Sequence, residues 1–237
     1  MNGQSEPSFT RDSTAVSIPR PSLGVLAIAI EAGDGPYLWC DPLTGLVAYP
    51  SFAEHLTDCL PILAPLGVHL AIGDVDDLKQ YVSERRAEDR AYFGHLAGNE
   101  CMQMIGQITR QWAERTTASW PFSLCGTFGG DEVIVAAAGV DYAVFVDSVR
   151  CLVDDIGAKA PRTCSFAAGT LIPTVISQAC RTTAYREFVA RVDLALFERK
   201  AEIRAANVSP RGDFEDIGPV VAVAGDPRPG PELVRGI

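Results

Sequence analysis

Three carboxylates stand where this chain could do chemistry. Asp74 directly follows the apolar run 68–73 and opens the acidic segment Asp74-Val75-Asp76-Asp77. Asp131 and Glu132 follow a glycine pair, Gly129-Gly130, between the apolar runs 122–128 and 133–138. Crowded carboxylates repel one another, and a divalent cation relieves that repulsion. An all-oxygen site of this kind suits Mg²⁺ or Mn²⁺ held jointly with substrate phosphates. Gly129 and Gly130 would let backbone come close to a bulky phosphate, and a plain two-residue hairpin needs no such pair of acids. A solvated acidic turn is the plainer reading of Gly-Gly-Asp-Glu taken alone. Two cations add weight to the first reading. Lys200 and Arg204 are four residues apart, so on a helix they emerge on one face and can clasp one polyphosphate tail.

The elements that must position these groups follow from the periodicity. Residues 24–30 and 68–73 read as strands, and 122–128 with 133–138 as a hairpin closed by 129–132. Helical stripes run through Phe52, Leu56 and Leu60, where Pro61 must end or kink the helix, and through Cys101, Ile105, Ile108 and Trp112. Two more pass through Phe145, Val149, Leu152 and Ile156 and through Val189, Val192 and Leu196, with a strand at 164–171 between them. Helices mixed with a hairpin predict an α+β fold, a sheet with antiparallel pairing covered by helices.

Composition bounds the rest. The 237 residues are 47% apolar, and the folded part is expected at 23–207. Residues 1–22 read as a loose leader, and 208–237 as a Pro/Gly-rich tail without the means to build a core. Twenty basic and thirty acidic residues give a net charge of −10, which argues against gripping a nucleic-acid backbone or an anionic membrane. Apolar runs such as 24–30 fall far short of the roughly 18 residues a membrane span needs. With no basic-then-apolar leader, the expected home is the cytoplasm. Seven scattered cysteines, with no close pair, are expected to be buried and reduced.

The motifs, in order, resemble those of the GGDEF nucleotide cyclases. Asp41-Pro42-Leu43-Thr44-Gly45-Leu46 is similar to the opening motif of that family, and Asp74-Val75-Asp76 with Lys79 to its metal-binding strand end. Gly94-His95 with Gly98 resembles the next motif, and Gly129-Gly130-Asp131-Glu132-Val133 the signature hairpin. Ala167-Ala168-Gly169 sits where Ser-x-Gly is usual, and Asp193, Ala195, Leu196, Phe197, Lys200 and Arg204 match the last helix. Each motif alone is weak to moderate, and six in order over residues 38–207 are specific.

The resemblance implies a palm-like, mainly antiparallel sheet surrounded by helices, which condenses two purine nucleoside triphosphates into a cyclic dinucleotide such as c-di-GMP. It implies a homodimer of facing half-sites. Asp74, Asp131 and Glu132 would be catalytic, and with the Val75 carbonyl they would ligate Mg²⁺ or Mn²⁺. Gly129, Gly130, Lys79, Lys200 and Arg204 would bind the triphosphate. The positions that read guanine in the family are Val82 and Asn99 here. A carboxamide offers one donor and one acceptor and so suits the adenine edge, so ATP is expected alongside or instead of GTP.

Other departures stand out. Ala48 and Tyr49 replace a usual Asn-Arg pair, Thr127 replaces an Arg, and the inhibitory Arg-x-x-Asp site is absent at 120–123. A charged stretch at 83–93 is longer than usual and reads first as a solvated helix extension. Two alternatives remain: a CRISPR-type palm cyclase making cyclic oligoadenylate, where a second Asp usually stands in place of Glu132, and a degenerate nucleotide-binding module. Residues 1–40 are too short for a sensor domain, so the input is expected from a separate sensor or effector protein.

Overall fold

The computed structural model describes residues 38–89, 95–172, 174–206, 208 and 212–220. Among them a single sheet runs in the order β1-β3-β4-β2-β5-β6, with α1 and α5 on one face and α3 and α4 on the other. The strands are β1 (Val47–Ala48), β2 (Val68–Val75), β3 (Phe122–Gly129), β4 (Glu132–Ala138), β5 (Cys164–Leu171) and β6 (Phe214–Val220). The helices are α1 (Tyr49–Leu63), α2 (Leu78–Glu88), α3 (Leu96–Thr116), α4 (Tyr142–Lys159) and α5 (Arg181–Ala205). The four central strands pair antiparallel, and the two edge strands join parallel. This is the α+β architecture, helices around a mainly antiparallel sheet, that the periodicity predicts.

Both faces of the central strands are buried, so β2 and β4 are apolar almost throughout rather than alternating. Alternation still decides direction. Val68, Leu70 and Ile72 point into the layer beneath α1 and α5, and Ala71 and Val75 into the layer beneath α3 and α4. Ile134, Ala136 and Ala138 share the first layer with Phe52, Leu56, Phe188, Val192 and Leu196. The parity of β2 and β4 therefore carries the next polar residues, Asp74 and Glu132, onto the α5 side of the sheet.

One expectation is narrowed and two need correcting. Pro61 does not end its helix: α1 continues to Leu63 and passes into a short 3-10 turn at Ala64–Leu66. One lost hydrogen bond in the last turn is a small loss against the burial of Leu60 and Leu63. Within 208–237, the segment Phe214–Val220 is not tail but the sixth strand, paired parallel to β5. Its place at the edge explains how it holds Gly218 and Pro219: a register shift opposite Ala168/Gly169 and Gly218 at φ +66° absorb the irregularity. Third, all seven cysteines are free but not all buried, and Cys151 is exposed on α4. The leader 1–22, the run 24–30 and residues 221–237 lie outside the described residues, as do Gly94 and 90–93 of the charged stretch.

Candidate active site

The site grows from the C-terminal end of β2. Gly73 is there because the Phe166 ring crosses it: a Cβ at that position would lie 2.4 Å from the ring. The next residue, Asp74, is the direct partner of Glu132 on β4 and of Ser165 on β5. Facing residues of an antiparallel pair have Cβ atoms about 5 Å apart, so Asp74 and Glu132 stand side by side. The Val75 N–H donates to the Asp131 carbonyl at 2.9 Å, which ties the hairpin turn to the end of β2.

That turn is built by glycine and a hydroxyl. Gly129 and Gly130 take φ +95° and +72°, values glycine adopts freely. A Cβ at either would meet nothing within 4 Å, so the backbone conformation, not crowding, calls for glycine, and open space lies beside it. Thr127, where the resemblance led one to look for Arg, is buried. Its hydroxyl donates to the Glu132 carbonyl at 2.7 Å and accepts from the Gly129 N–H at 3.0 Å. It braces the bulge that aims the hairpin.

Helix α5 brings the cation. Its apolar face docks through Phe188, Val192 and Leu196, and four residues beyond Leu196 the Lys200 side chain enters the end of β2. The ammonium pairs with Asp74 Oδ1 and lies 3.2 Å from Asp76 Oδ1, 3.2 Å from the Asp74 carbonyl and 3.4 Å from the Val75 carbonyl. The Lys200 side chain is 11% exposed, and that of Asp76 only 2%. Burial, helped by the Arg204 charge one turn on, pulls the Lys200 ammonium down to about 8. Glu132 moves the other way: burial first, then the Asp131 and Asp193 charges, holds its carboxyl above the usual range.

Asp76 is anchored from behind. Ser165 Oγ donates to both of its oxygens at 2.9 and 3.0 Å, and Thr163 Oγ1 to Oδ2 at 2.8 Å. Burial raises its pKa, and these hydroxyls with the Gly212 N–H work against that. The Asp213 N–H in turn donates to Ser165 Oγ, and the Asp213 carboxylate pairs with Arg199 beside Lys200. Apart from Asp76 in its motif, none of this second layer was singled out from the sequence. The hydroxyl of Ser165 inside the largely apolar strand Cys164–Leu171 was the available sign, because a buried hydroxyl needs a partner.

The structure thus brings Asp74, Val75, Asp131, Glu132, Gly129, Gly130 and Lys200 to one end of the sheet, with Arg204 one turn along α5. Lys79 sits exposed in the first turn of α2. Val82 packs against α3, with a methyl 3.4 Å from where a Gly98 Cβ would lie, and the neighbouring Asn99 is exposed. Among the described residues, no three His, Cys, Asp or Glu side chains form a group that could hold a metal ion by themselves. The donors are hard oxygens of the kind Mg²⁺ prefers, and the Lys200 ammonium shows that those on β2 accept a cation. Such a set fits a metal shared with a phosphate ligand rather than a closed protein cage.

No protein-family model and no curated protein matches the sequence. Solved structures do. The GGDEF domain of DgcB from Caulobacter crescentus, in complex with c-di-GMP, is similar over 78% of this chain and 98% of that one, with TM-score 0.58 at 15% identity. The fold is that of a GGDEF domain. A sensory box/GGDEF family protein from Caulobacter crescentus is similar over 69% of this chain and 98% of that one, with TM-score 0.51 at 23% identity. The diguanylate cyclase SiaD from Pseudomonas aeruginosa, in complex with its activator SiaC, matches over 77% of this chain and 61% of that one, with TM-score 0.53 at 20% identity. At these identities the likeness concerns the GGDEF fold itself. Among the described residues, no helix is long and apolar enough to cross a membrane.

Proposed function

We propose that this chain is a nucleotidyl cyclase that condenses two purine nucleoside triphosphates, GTP foremost and ATP as an accepted alternative, into a cyclic dinucleotide such as c-di-GMP. The observation that carries the reading is the pairing of Asp74 with Glu132 on adjacent strands, on the face that Lys200 enters from α5.

In the reaction a 3′-oxygen attacks the α-phosphorus of the facing nucleotide. The new P–O bond forms as the bond to pyrophosphate breaks, and the hydroxyl proton leaves. Glu132, beside Asp74 on the adjacent strand, is a second metal ligand or assists in taking that proton. Lys200 and Arg204 grip the polyphosphate as a charge-assisted pair, Lys79 adds a third cation, and the Gly129-Gly130 backbone lets the phosphates lie close. Asp74, Asp131, Glu132 and the Val75 carbonyl would hold Mg²⁺ or Mn²⁺, which when bound polarises the α-phosphate and offsets the charge of the departing pyrophosphate. Asn99 and Val82 would meet the base. Each chain carries one such hairpin, so closing a two-nucleotide ring calls for two protomers with half-sites facing. The setting is the cytoplasm, with the input from a separate sensor or effector protein.

A degenerate module that holds nucleotide without turnover is the second reading, favoured by the direct Lys200–Asp74 contact. Incubating the purified chain with GTP, with ATP and with both, plus Mg²⁺, and resolving products by mass separates the two. The cyclase reading predicts pyrophosphate and a cyclic dinucleotide. Triphosphates bound but returned intact would leave the module.

A further inference from the structure

Lys200 does more in this structure than wait for phosphate. Its ammonium lies among four oxygens: the Asp74 carboxylate, the Asp74 and Val75 carbonyls and the Asp76 carboxylate. Two of these groups, the Asp74 carboxylate and the Val75 carbonyl, are those to which the proposed function gives the divalent cation. We propose that the Lys200 ammonium and a divalent cation compete for this one set of oxygens, and that buried Asp76 is the positioning residue that holds the ammonium among them.

The physical case rests on exclusion and on anchoring. Two cations cannot share one pair of oxygens at contact distance, because their repulsion at a few Å is large in a partly buried site. Asp76 is the fixed end. Its two oxygens accept from Ser165 and Thr163 and face Lys200, so it cannot turn away without abandoning those hydroxyls. Asp74 is the open end, more exposed at 25% and at the lip of the sheet. A cation arriving alone must therefore displace the ammonium from Asp74 while Asp76 still holds it close by. One arriving with a triphosphate brings phosphate oxygens that take the ammonium over. Metal and nucleotide should then bind cooperatively, the nucleotide removing an internal competitor.

This inference rests on the proposed metal site, and the test separates the two. Mn²⁺ binding to the full chain is measured without nucleotide, by the electron paramagnetic resonance signal of free Mn²⁺. The set is wild type, Lys200→Met, Lys200→Arg, Asp76→Asn, Lys200→Met/Asp76→Asn, and Asp74→Asn in the wild-type and Lys200→Met backgrounds. Lys200→Met should bind Mn²⁺ about tenfold more tightly than wild type, within the usual range of coupling between sites. Lys200→Arg should stay as weak as wild type, because it keeps the competing charge. Asp74→Asn should abolish binding in both backgrounds. Asp76→Asn should tighten Mn²⁺ binding when Lys200 is present and add nothing further to the Lys200→Met variant. Lys200→Met leaves Asp76 buried and unpaired and could unfold the chain. The double variant removes that charge as well and must still bind Mn²⁺ more tightly than wild type. Equal affinity in wild type and the folded Lys200 variants, with Asp74→Asn still abolishing binding, overturns the competition and leaves the metal site standing. Absence of Mn²⁺ binding in every folded variant overturns the competition and the metal assignment together.

Discussion

The two sides of the candidate site are built differently. On the side of the hairpin and α5, Asp74, Glu132, Asp76 and Lys200 are partly or wholly buried, held by strand register, by Thr127 and by the Ser165–Asp213 chain of hydrogen bonds. On the side of α2 and α3, Asn99 and Lys79 are exposed, and no residue of α2 is buried. Glu84 pairs with Arg162, and Arg85 with Glu88, at the protein surface. The first side carries most of the groups that would do chemistry on phosphates; the second adds Lys79 and carries Asn99 and Val82, which would meet the base. The chemical half depends on paired strands, and the recognition half sits on the more exposed surfaces of α2 and α3.

The largest effect should come from breaking the rigid side. Asp74→Asn or Glu132→Gln should lower turnover at least about a hundredfold, as loss of a group aimed at transition-state charge does. Neither should unfold the chain. Glu132→Gln also removes repulsion from Asp131 and Asp193, so its thermal midpoint without added metal should equal or exceed that of wild type, by scanning calorimetry. Lys200→Ala should act next, raising KM for triphosphate more than it lowers kcat.

The pH profile sharpens the same point. The Lys200 ammonium must be charged to grip phosphate, and its pKa of about 8 means the grip is intact below that value and lost as pH rises through it. KM for the triphosphate should climb above pH 8, while Lys200→Arg, which stays protonated, should flatten that limb. The Glu132 carboxyl is raised before a cation binds, and its protonation competes with that cation: at limiting Mg²⁺ activity should fall as pH drops, at a higher pH than an ordinary carboxylate would give. A profile flat across both limbs would remove these two residues from their roles.

On the exposed side, Asn99→Asp should favour GTP over ATP by roughly tenfold, the worth of one or two hydrogen bonds to the base edge. Arg85→Ala with Arg86→Ala, at the surface of α2, should change stability by less than about 0.5 kcal/mol and activity by less than twofold. Equal, large losses from Asn99 and Asp74 substitutions would erase the contrast between the two sides.

The sequence made the rigid side legible because apolar runs and hairpin turns are local. The runs 68–73 and 133–138 put Asp74 and Glu132 next to strand ends, and Gly129-Gly130 marked the turn between β3 and β4. What stayed hidden is non-local. Asp76 stood in the motif at the end of β2 with no role of its own, and Ser165 and Thr163, nearly ninety residues away, draw it into the interior. The strand Phe214–Val220 was masked by its glycine and proline, because edge pairing tolerates what a core strand would not. Lys200 was recognised as a phosphate ligand, but its present hold on Asp74 depends on how α5 crosses the sheet.

The most direct measurement follows the product by mass over time, for wild type beside Asp74→Asn, at saturating triphosphate with Mg²⁺. A cyclic dinucleotide should accumulate with two pyrophosphates per ring in wild type and fall to background in the variant. Equal product from both chains, or triphosphate recovered whole from wild type, would contradict the assignment of chemistry to the paired ends of β2 and β4.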